Sequence, residues 1–257
     1  MTASARSELQ VFITYLIFII LAEVITSFID PIYGLFLHFI IMISLQTLSS
    51  LKYRENPSSK LFLNLSLAPL IRIISLSVPL INFPHHTWYI VVNVPVLVAT
   101  LAMMRVQGIR FKDAGIKFSK PLAQIGITLT GIPLGFIDYF ILKPELIAQG
   151  LSFWNLTLLA IGLSLSTGFV EELVFRGLMQ PSAVEAFGER LGLIGVAAVF
   201  ASLHIGWLSM IDLVFVFSIG LFYGFATLKT GNIVGVALSH GIINVVLFIV
   251  APSIIFI

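Results

Sequence analysis

Residues 171–176 read Glu-Glu-Leu-Val-Phe-Arg and place two acids and one base inside an apolar stretch at residues 156–178. A charged side chain at the centre of a bilayer costs a few kcal/mol on insertion scales, so such residues mark functional sites by default. In a helix, Glu172 and Arg176 share one face, with the acid on the N-terminal side, and this order favours an ion pair. Glu171 then lies about 100° around the helix and is predicted to remain unpaired.

The composition predicts a membrane protein. Of the 257 residues, 58% are hydrophobic and only 10% are charged, and the mean hydropathy is +1.07. These charges are too few to cover a water-soluble globule of this size, so we expect membrane lipids to surround the chain. The net charge of +2 comes from short loops and predicts no nucleic-acid partner. Cysteine is absent, which excludes disulfides and thiolate chemistry.

Apolar windows of about 20 residues predict an all-α polytopic transmembrane bundle of eight or nine membrane helices with an intramembrane polar cavity. The predicted spans are residues 11–29, 33–51, 61–81, 88–104, 122–142, 156–178, 191–205, 211–228 and 233–256. The first is predicted to be a retained span and not a signal peptide, and the seventh is short enough to be half-buried or re-entrant. No repeat or soluble segment interrupts the pattern, so residues 1–257 are predicted to form a single membrane domain.

Basic residues fall mainly on one side of this layout. If the N-terminus is cytoplasmic, the opposite side carries only Lys143, and Arg72 and Arg176 lie within spans. This asymmetry is what the positive-inside rule predicts. The predicted cytoplasmic residues are Arg6, Lys52, Arg54, Lys60, Arg105, Arg110, Lys112, Lys117, Lys120, Arg190 and Lys229.

Two further polar clusters follow the first one in the chain. They are Phe200-Ala-Ser-Leu-His204 and His240-Gly-Ile-Ile-Asn244, and in each the outer residues share a helix face. At about 1.5 Å of rise per residue, Glu171, His204, His240 and Asn244 lie roughly 10, 20, 10 and 16 Å from the cytoplasmic ends of their spans. Comparable depths predict one site, biased toward the cytoplasmic side.

These residue types suit the activation of water. A glutamate can accept a proton from water that a histidine orients, and a second histidine with an asparagine can donate to a developing oxyanion. Hydrolysis of a peptide bond needs these parts. Two histidines and a glutamate also form a known catalytic zinc set, but the HExxH pattern is absent. We therefore predict a site without a cofactor, with zinc as the alternative.

The three clusters resemble the CAAX protease and bacteriocin-processing family of intramembrane endopeptidases. The shared motifs are EExxxR, FxxxH and HxxxN, and the similar region covers roughly residues 156–250. The resemblance implies a glutamate-type protease acting on a peptide or lipidated protein, such as a prenylated CAAX tail or a bacteriocin leader. It implies that Glu171 and His204 activate water and that His240 and Asn244 form the oxyanion hole. Support of the site is expected from Glu172, Arg176 and Phe200.

Other classes of protein remain open alternatives. Acids and histidines inside membranes also build transporters and proton relays, and a member of the same fold can be a non-catalytic immunity protein. The sequence leaves the substrate and the oligomeric state open. The remaining intramembrane ionisable residues are predicted to be scattered and structural, with a Glu23–Arg72 pair left open: Glu23, His38, Arg72, Asp138 and Asp212.

Overall fold

A computed structural model describes residues 3–52, 58–77, 87–147 and 150–255. The described chain is helical, which confirms the predicted all-α fold. The helices are α1 (Ala3–Phe28), α2 (Pro31–Lys52), α3 (Ser58–Leu65), α4 (Leu67–Ser77), α5 (Trp88–Gln107), α6 (Pro121–Leu129), α7 (Gly131–Leu142), α8 (Phe153–Phe187), α9 (Glu189–Ser202), α10 (Met210–Thr230) and α11 (Val234–Ile255).

Eight segments of the described chain are long and apolar enough to cross a membrane. Two of them combine short helices, α3 with α4 and α6 with α7. Helix α9 is not among the eight because its 14 residues rise only about 21 Å, against a hydrocarbon layer of about 30 Å. The protein is thus an integral membrane protein with eight candidate spans, the lower of the two predicted numbers.

The sixth span is longer than predicted. Helix α8 continues to Phe187, although hydropathy predicted an end near residue 178. The added turns are polar in sequence, but Gln180 and Ser182 are buried against neighbouring helices, so protein and not lipid surrounds them. Glu171 is therefore 16 residues, or about 24 Å, from this helix end, deeper than the predicted 10 Å. Residues 78–81 and 256 of other predicted spans lie outside the described residues.

Helix α8 changes its winding around the first polar motif. Val170–Glu172 is α-helical, whereas Ser164–Phe169 before it and Leu173–Met179 after it are π-helical. Wide π turns are rare and often occur at functional sites, since they alter which side chains face a neighbouring helix. The motif therefore departs from the ideal α-helical spacing, yet the predicted contact between Glu172 and Arg176 is retained.

Two glycines allow α8 and α11 to pack closely. A Cβ atom at Gly168 would lie 2.6 Å from the backbone nitrogen of Gly241, and one at Gly241 would lie 2.8 Å from the Cα of Ser164. Small residues are the usual means by which membrane helices reach such short separations. This contact brings His240, the neighbour of Gly241, against the motif of α8.

We expect Gly241→Ala to destabilise the fold by about 1–3 kcal/mol, because the added methyl group overlaps the α8 backbone. Thermal unfolding of the purified protein in detergent measures the effect. Gly126→Ala is the matched control, since a Cβ there meets nothing within 4 Å. Equal unfolding temperatures for Gly241→Ala and the control would contradict the close packing of α8 and α11.

Candidate active site

A buried carboxylate joins two of the three motifs. Glu172 Oε1 accepts a hydrogen bond from Arg176 Nη1 at 2.9 Å and another from His240 Nδ1, also at 2.9 Å. Glu172 is 0% exposed and Arg176 is 1% exposed, so water cannot replace either contact. The structure thus contains the Glu172–Arg176 pair that the sequence predicts. The contact from His240 was not predicted, because its 68-residue separation from Glu172 hides it in the sequence.

Arg176 extends this connection to two more helices. Its Nη2 donates to the carbonyl oxygen of Gly220 on α10 at 3.3 Å. Its guanidinium carbon lies 4.6 Å from the ring centroid of Phe200 on α9, a distance at which a cation attracts an aromatic face. One arginine therefore connects α8 with α9 and α10. This position fits the supporting role predicted for Arg176 and Phe200.

The hydrogen bond of His240 defines what its second ring nitrogen can do. A carboxylate can only accept, so Nδ1 of His240 carries the proton that it shares with Glu172. Nε2 then accepts a hydrogen bond in the neutral ring and donates one in the imidazolium. The adjacent carboxylate stabilises the imidazolium, so His240 is arranged to act as a donor.

His204 also donates through Nδ1, but to a neutral acceptor. Its Nδ1 lies 3.0 Å from the carbonyl oxygen of Phe200, an acceptor, so this nitrogen carries the proton and Nε2 of the neutral ring keeps a lone pair. The Phe200 ring packs between the imidazoles, with centroids 5.0 Å from His204 and 5.9 Å from His240. Phe200 thus orients His204 through its backbone and packs against both rings.

Glu171 differs from its neighbour in the motif. It is half-buried and lines the cavity described below. No hydrogen bond or ion pair to its side chain occurs among the described residues. The division of the motif into a paired Glu172 and an unpaired Glu171 therefore agrees with the sequence argument. Their catalytic and supporting roles stay predictions.

Asn244 lies one helical turn after His240 and is held by α8. Its Nδ2 donates to Thr167 Oγ1 at 2.7 Å, and that hydroxyl donates in turn to the carbonyl oxygen of Leu163. An amide group has two N–H bonds, so one remains for a ligand. Thr167 has no distinctive spacing from Asn244 in the chain, so sequence alone does not identify it.

One cavity of about 430 Å³ brings the predicted catalytic residues together. Its volume falls in the range of about 300–1,000 Å³ that is common for ligand sites. Glu171, His204, His240 and Asn244 all line it. The cavity also reaches Trp88 at the start of α5, the end of that helix opposite the basic loop. The predicted cytoplasmic N-terminus and cytoplasmic bias of the site stay predictions.

Ionisable residues that sequence reasoning had treated as scattered also approach this cavity. Arg72 lines it, and its Nε contacts Glu23 Oε1 at 2.7 Å, so the pair left open by the sequence is present. The fully buried His38 lies 3.3 Å from the same oxygen atom. Arg72 also donates to the carbonyl oxygen of Leu203, immediately before His204. These residues are therefore a connected group, and the expectation that they are scattered was wrong.

Asp138 and Asp212 line the same cavity from α7 and α10. They are 6% and 1% exposed, and their side chains contact each other. The signal that could have identified them is an isolated acid in each of two apolar helices. Sequence alone did not show that the two acids face each other.

Within the described part of the chain, no three His, Asp or Glu side chains are grouped so that they could hold a metal ion. His204 Nδ1 and His240 Nδ1 are each occupied by a hydrogen bond to a protein oxygen. These bonds leave Nε2 of each ring available, as in many zinc-binding histidines, but the two histidines and Glu171 are not grouped closely enough to hold zinc unless the side chains move.

Comparison with known families supports the resemblance. Residues 153–246 match the family model described as Rce1-like, type II CAAX prenyl endopeptidase Rce1-like. The resemblance to CAAX proteases is confirmed. At the level of the family, the match indicates an intramembrane protease of the CAAX type. No curated protein and no solved structure gives a significant match to the chain.

We expect Glu172→Gln to destabilise the protein by about 3–5 kcal/mol, because it leaves the buried Arg176 guanidinium without a counter-charge. Chemical or thermal unfolding in detergent measures this loss. Asp113→Asn is the matched control, since it breaks an exposed ion pair with Arg110, and we expect no measurable change from it. An unfolding midpoint for Glu172→Gln equal to that of the control would show that the buried carboxylate is dispensable.

Proposed function

We propose that this protein is an intramembrane endopeptidase that hydrolyses a peptide bond with water activated by Glu171 and His204. The observation that carries the proposal is an unpaired carboxylate and an imidazole lone pair on the wall of one cavity, beside a histidine arranged to donate. The match to the CAAX protease family supports the same reaction class.

In the first step, a water molecule donates one hydrogen bond to His204 Nε2 and transfers a proton to the Glu171 carboxylate. Its oxygen attacks the carbonyl carbon of the scissile bond, and the π electrons move to the carbonyl oxygen. The resulting oxyanion accepts hydrogen bonds from Nε2 of protonated His240 and from Nδ2 of Asn244. In the second step, the C–N bond breaks and the protonated Glu171 donates its proton to the leaving amine.

The charges around the reaction centre favour this assignment. With His240 protonated, Glu171 and Glu172 are balanced by Arg176 and His240, so the four groups together carry no net charge. A buried group of charges is least costly when it is paired in this way. Taking up a proton then makes Glu171 neutral beside His240, while the negative charge moves to the oxyanion that His240 contacts.

We propose a peptide or a lipidated protein as the substrate, with a prenylated CAAX tail as the first candidate because of the family match. Much of the cavity wall is apolar and aromatic, as a lipid-modified or hydrophobic segment requires, with Trp88, Tyr89 and Phe248 among the lining residues. A bacteriocin-type peptide presents a similar apolar segment and is the second candidate.

We expect Glu171→Gln to lower the rate of peptide cleavage by at least about 100-fold, because an amide cannot accept the proton from water. Comparison of protein termini in cells that express wild type or Glu171→Gln identifies substrates, and assays with the purified proteins then give the rates. Glu185→Gln, an exposed acid near the end of α8, is the matched control and should retain full activity. Identical cleaved termini with wild type and Glu171→Gln would refute the proposed function.

We expect cleavage to continue after prolonged treatment with a strong chelator, because the proposed steps use only protein groups and water. Activity of the purified enzyme before and after removal of metal ions measures this. Loss of activity that zinc restores would instead support the metal-dependent alternative.

A further inference from the structure

Asp138 and Asp212, here called the carboxyl pair, form an acidic feature that the proposed chemistry does not use. Asp138 lies on α7 and Asp212 lies in the first turn of α10, and these two helices pack together. Both side chains are more than nine-tenths buried, both line the cavity, and they contact each other. A direct contact between two buried acids needs a compensating group.

The carboxyl pair has no donor among the described residues. Both carboxylate oxygens of Asp212 and Oδ1 of Asp138 are buried without a hydrogen-bond partner. A single proton can lie between two carboxylates in contact, but the pair then still carries one negative charge. Apart from Glu171, the proposed base, the other charged side chains that line the cavity have partners: Arg72 contacts Glu23, and His240 contacts Glu172. The carboxyl pair is therefore free to bind a cation.

Aromatic side chains on the same cavity strengthen this preference. Tyr89, Trp207 and Phe248, here called the aromatic wall, line the cavity with the carboxyl pair. The ring centroids of Tyr89 and Trp207 lie 5.5 and 6.0 Å from that of Phe248. The faces of such rings attract ammonium and guanidinium groups. Acids and aromatic faces on one cavity form a suitable environment for an organic cation.

The carboxyl pair lies beyond the reaction centre along the helices. Helices α7 and α11 run in parallel, since Gly131 packs against Ser239 and Gly135 packs against Val246. Asp138 is therefore level with about residue 247, seven residues after His240, which corresponds to about 10 Å along α11. An extended peptide covers this distance in about three residues.

We propose that the carboxyl pair and the aromatic wall form a subsite for a lysine or arginine side chain of the substrate, about three residues from the bond that is cleaved. The aliphatic part of such a side chain packs on the rings, and its charged end neutralises the pair. A metal ion is a poorer occupant, because no group of three acid or histidine ligands exists among the described residues. The assignment of this subsite to a peptide substrate rests on the proposed function, but binding of a peptide to it can be measured without cleavage.

The test uses two capped apolar peptides of identical sequence except at the central residue, which is lysine in one and norleucine in the other, so that the lysine ammonium is the only charge. Each is titrated into purified protein carrying Glu171→Gln, to prevent cleavage, and Trp154→Phe, to remove the tryptophan that does not line the cavity. The fluorescence of Trp88 and Trp207, which line the cavity, reports binding in a neutral detergent. We expect the lysine peptide to bind at least about tenfold more tightly. Adding Asp138→Asn and Asp212→Asn together should make the two affinities equal.

In the double variant, the two asparagine side chains have the size of the aspartates and can hydrogen-bond to each other. An unchanged affinity for the norleucine peptide verifies that the cavity is intact. Asp113→Asn with Glu185→Gln, two exposed acids outside the cavity, is the matched control and should retain the lysine preference. The subsite would be overturned if both peptides bound equally or if neither bound. It would also be overturned if the lysine preference survived in the Asp138→Asn and Asp212→Asn variant, or if the control variant lost that preference. Lysine-selective binding by a protein that cleaves no peptide would overturn the proposed function and leave the subsite standing.

Discussion

The structure depends on one buried carboxylate, that of Glu172. It accepts hydrogen bonds from Arg176 on its own helix and from His240 on α11, and Arg176 continues to the Gly220 carbonyl of α10. A buried carboxylate without donors would be strongly unfavourable, so the three helices are constrained to bring these groups together. The same contacts fix the orientation of His240 and leave Glu171 to the cavity. The polar connection that stabilises the bundle thus also arranges the proposed reaction centre.

The cavity has two chemically different regions. Near the Glu172 contact, Nδ1 of each histidine donates to a protein oxygen, a neutral carbonyl for His204 and a carboxylate for His240. The carboxylate stabilises the protonated form of His240, so Nε2 of His204 accepts a hydrogen bond whereas Nε2 of His240 can donate one. At a level further along α11, Asp138 of α7 and Asp212 of α10 add acids that no donor contacts in the described part of the chain. The first region suits a reaction and the second suits recognition of a cation. A peptide that crosses both would have its charged side chain bound while its backbone reaches Glu171.

The sequence predicts those features of the fold and the site that depend only on residues close together in the chain. The eight long apolar helices and the Glu172–Arg176 pair follow from hydropathy and four-residue spacing. Contacts between distant helices could not be predicted, because they require the close approach at Gly168 and Gly241 and the π turns of α8. Two contacts between distant helices are of this kind: the contact of His240 with Glu172, and the contact between Asp138 and Asp212. The end of α8 was also misplaced, since hydropathy does not distinguish burial in protein from exposure to water.

A pair of double-mutant cycles on unfolding stability tests the division of the motif most directly. One combines Glu172→Gln with Arg176→Gln, and the other combines Glu171→Gln with Arg176→Gln. We expect a coupling of about 1–3 kcal/mol between Glu172 and Arg176, and additivity within about 0.5 kcal/mol for Glu171 and Arg176. A strong coupling of Glu171 to Arg176, with none for Glu172, would contradict this division.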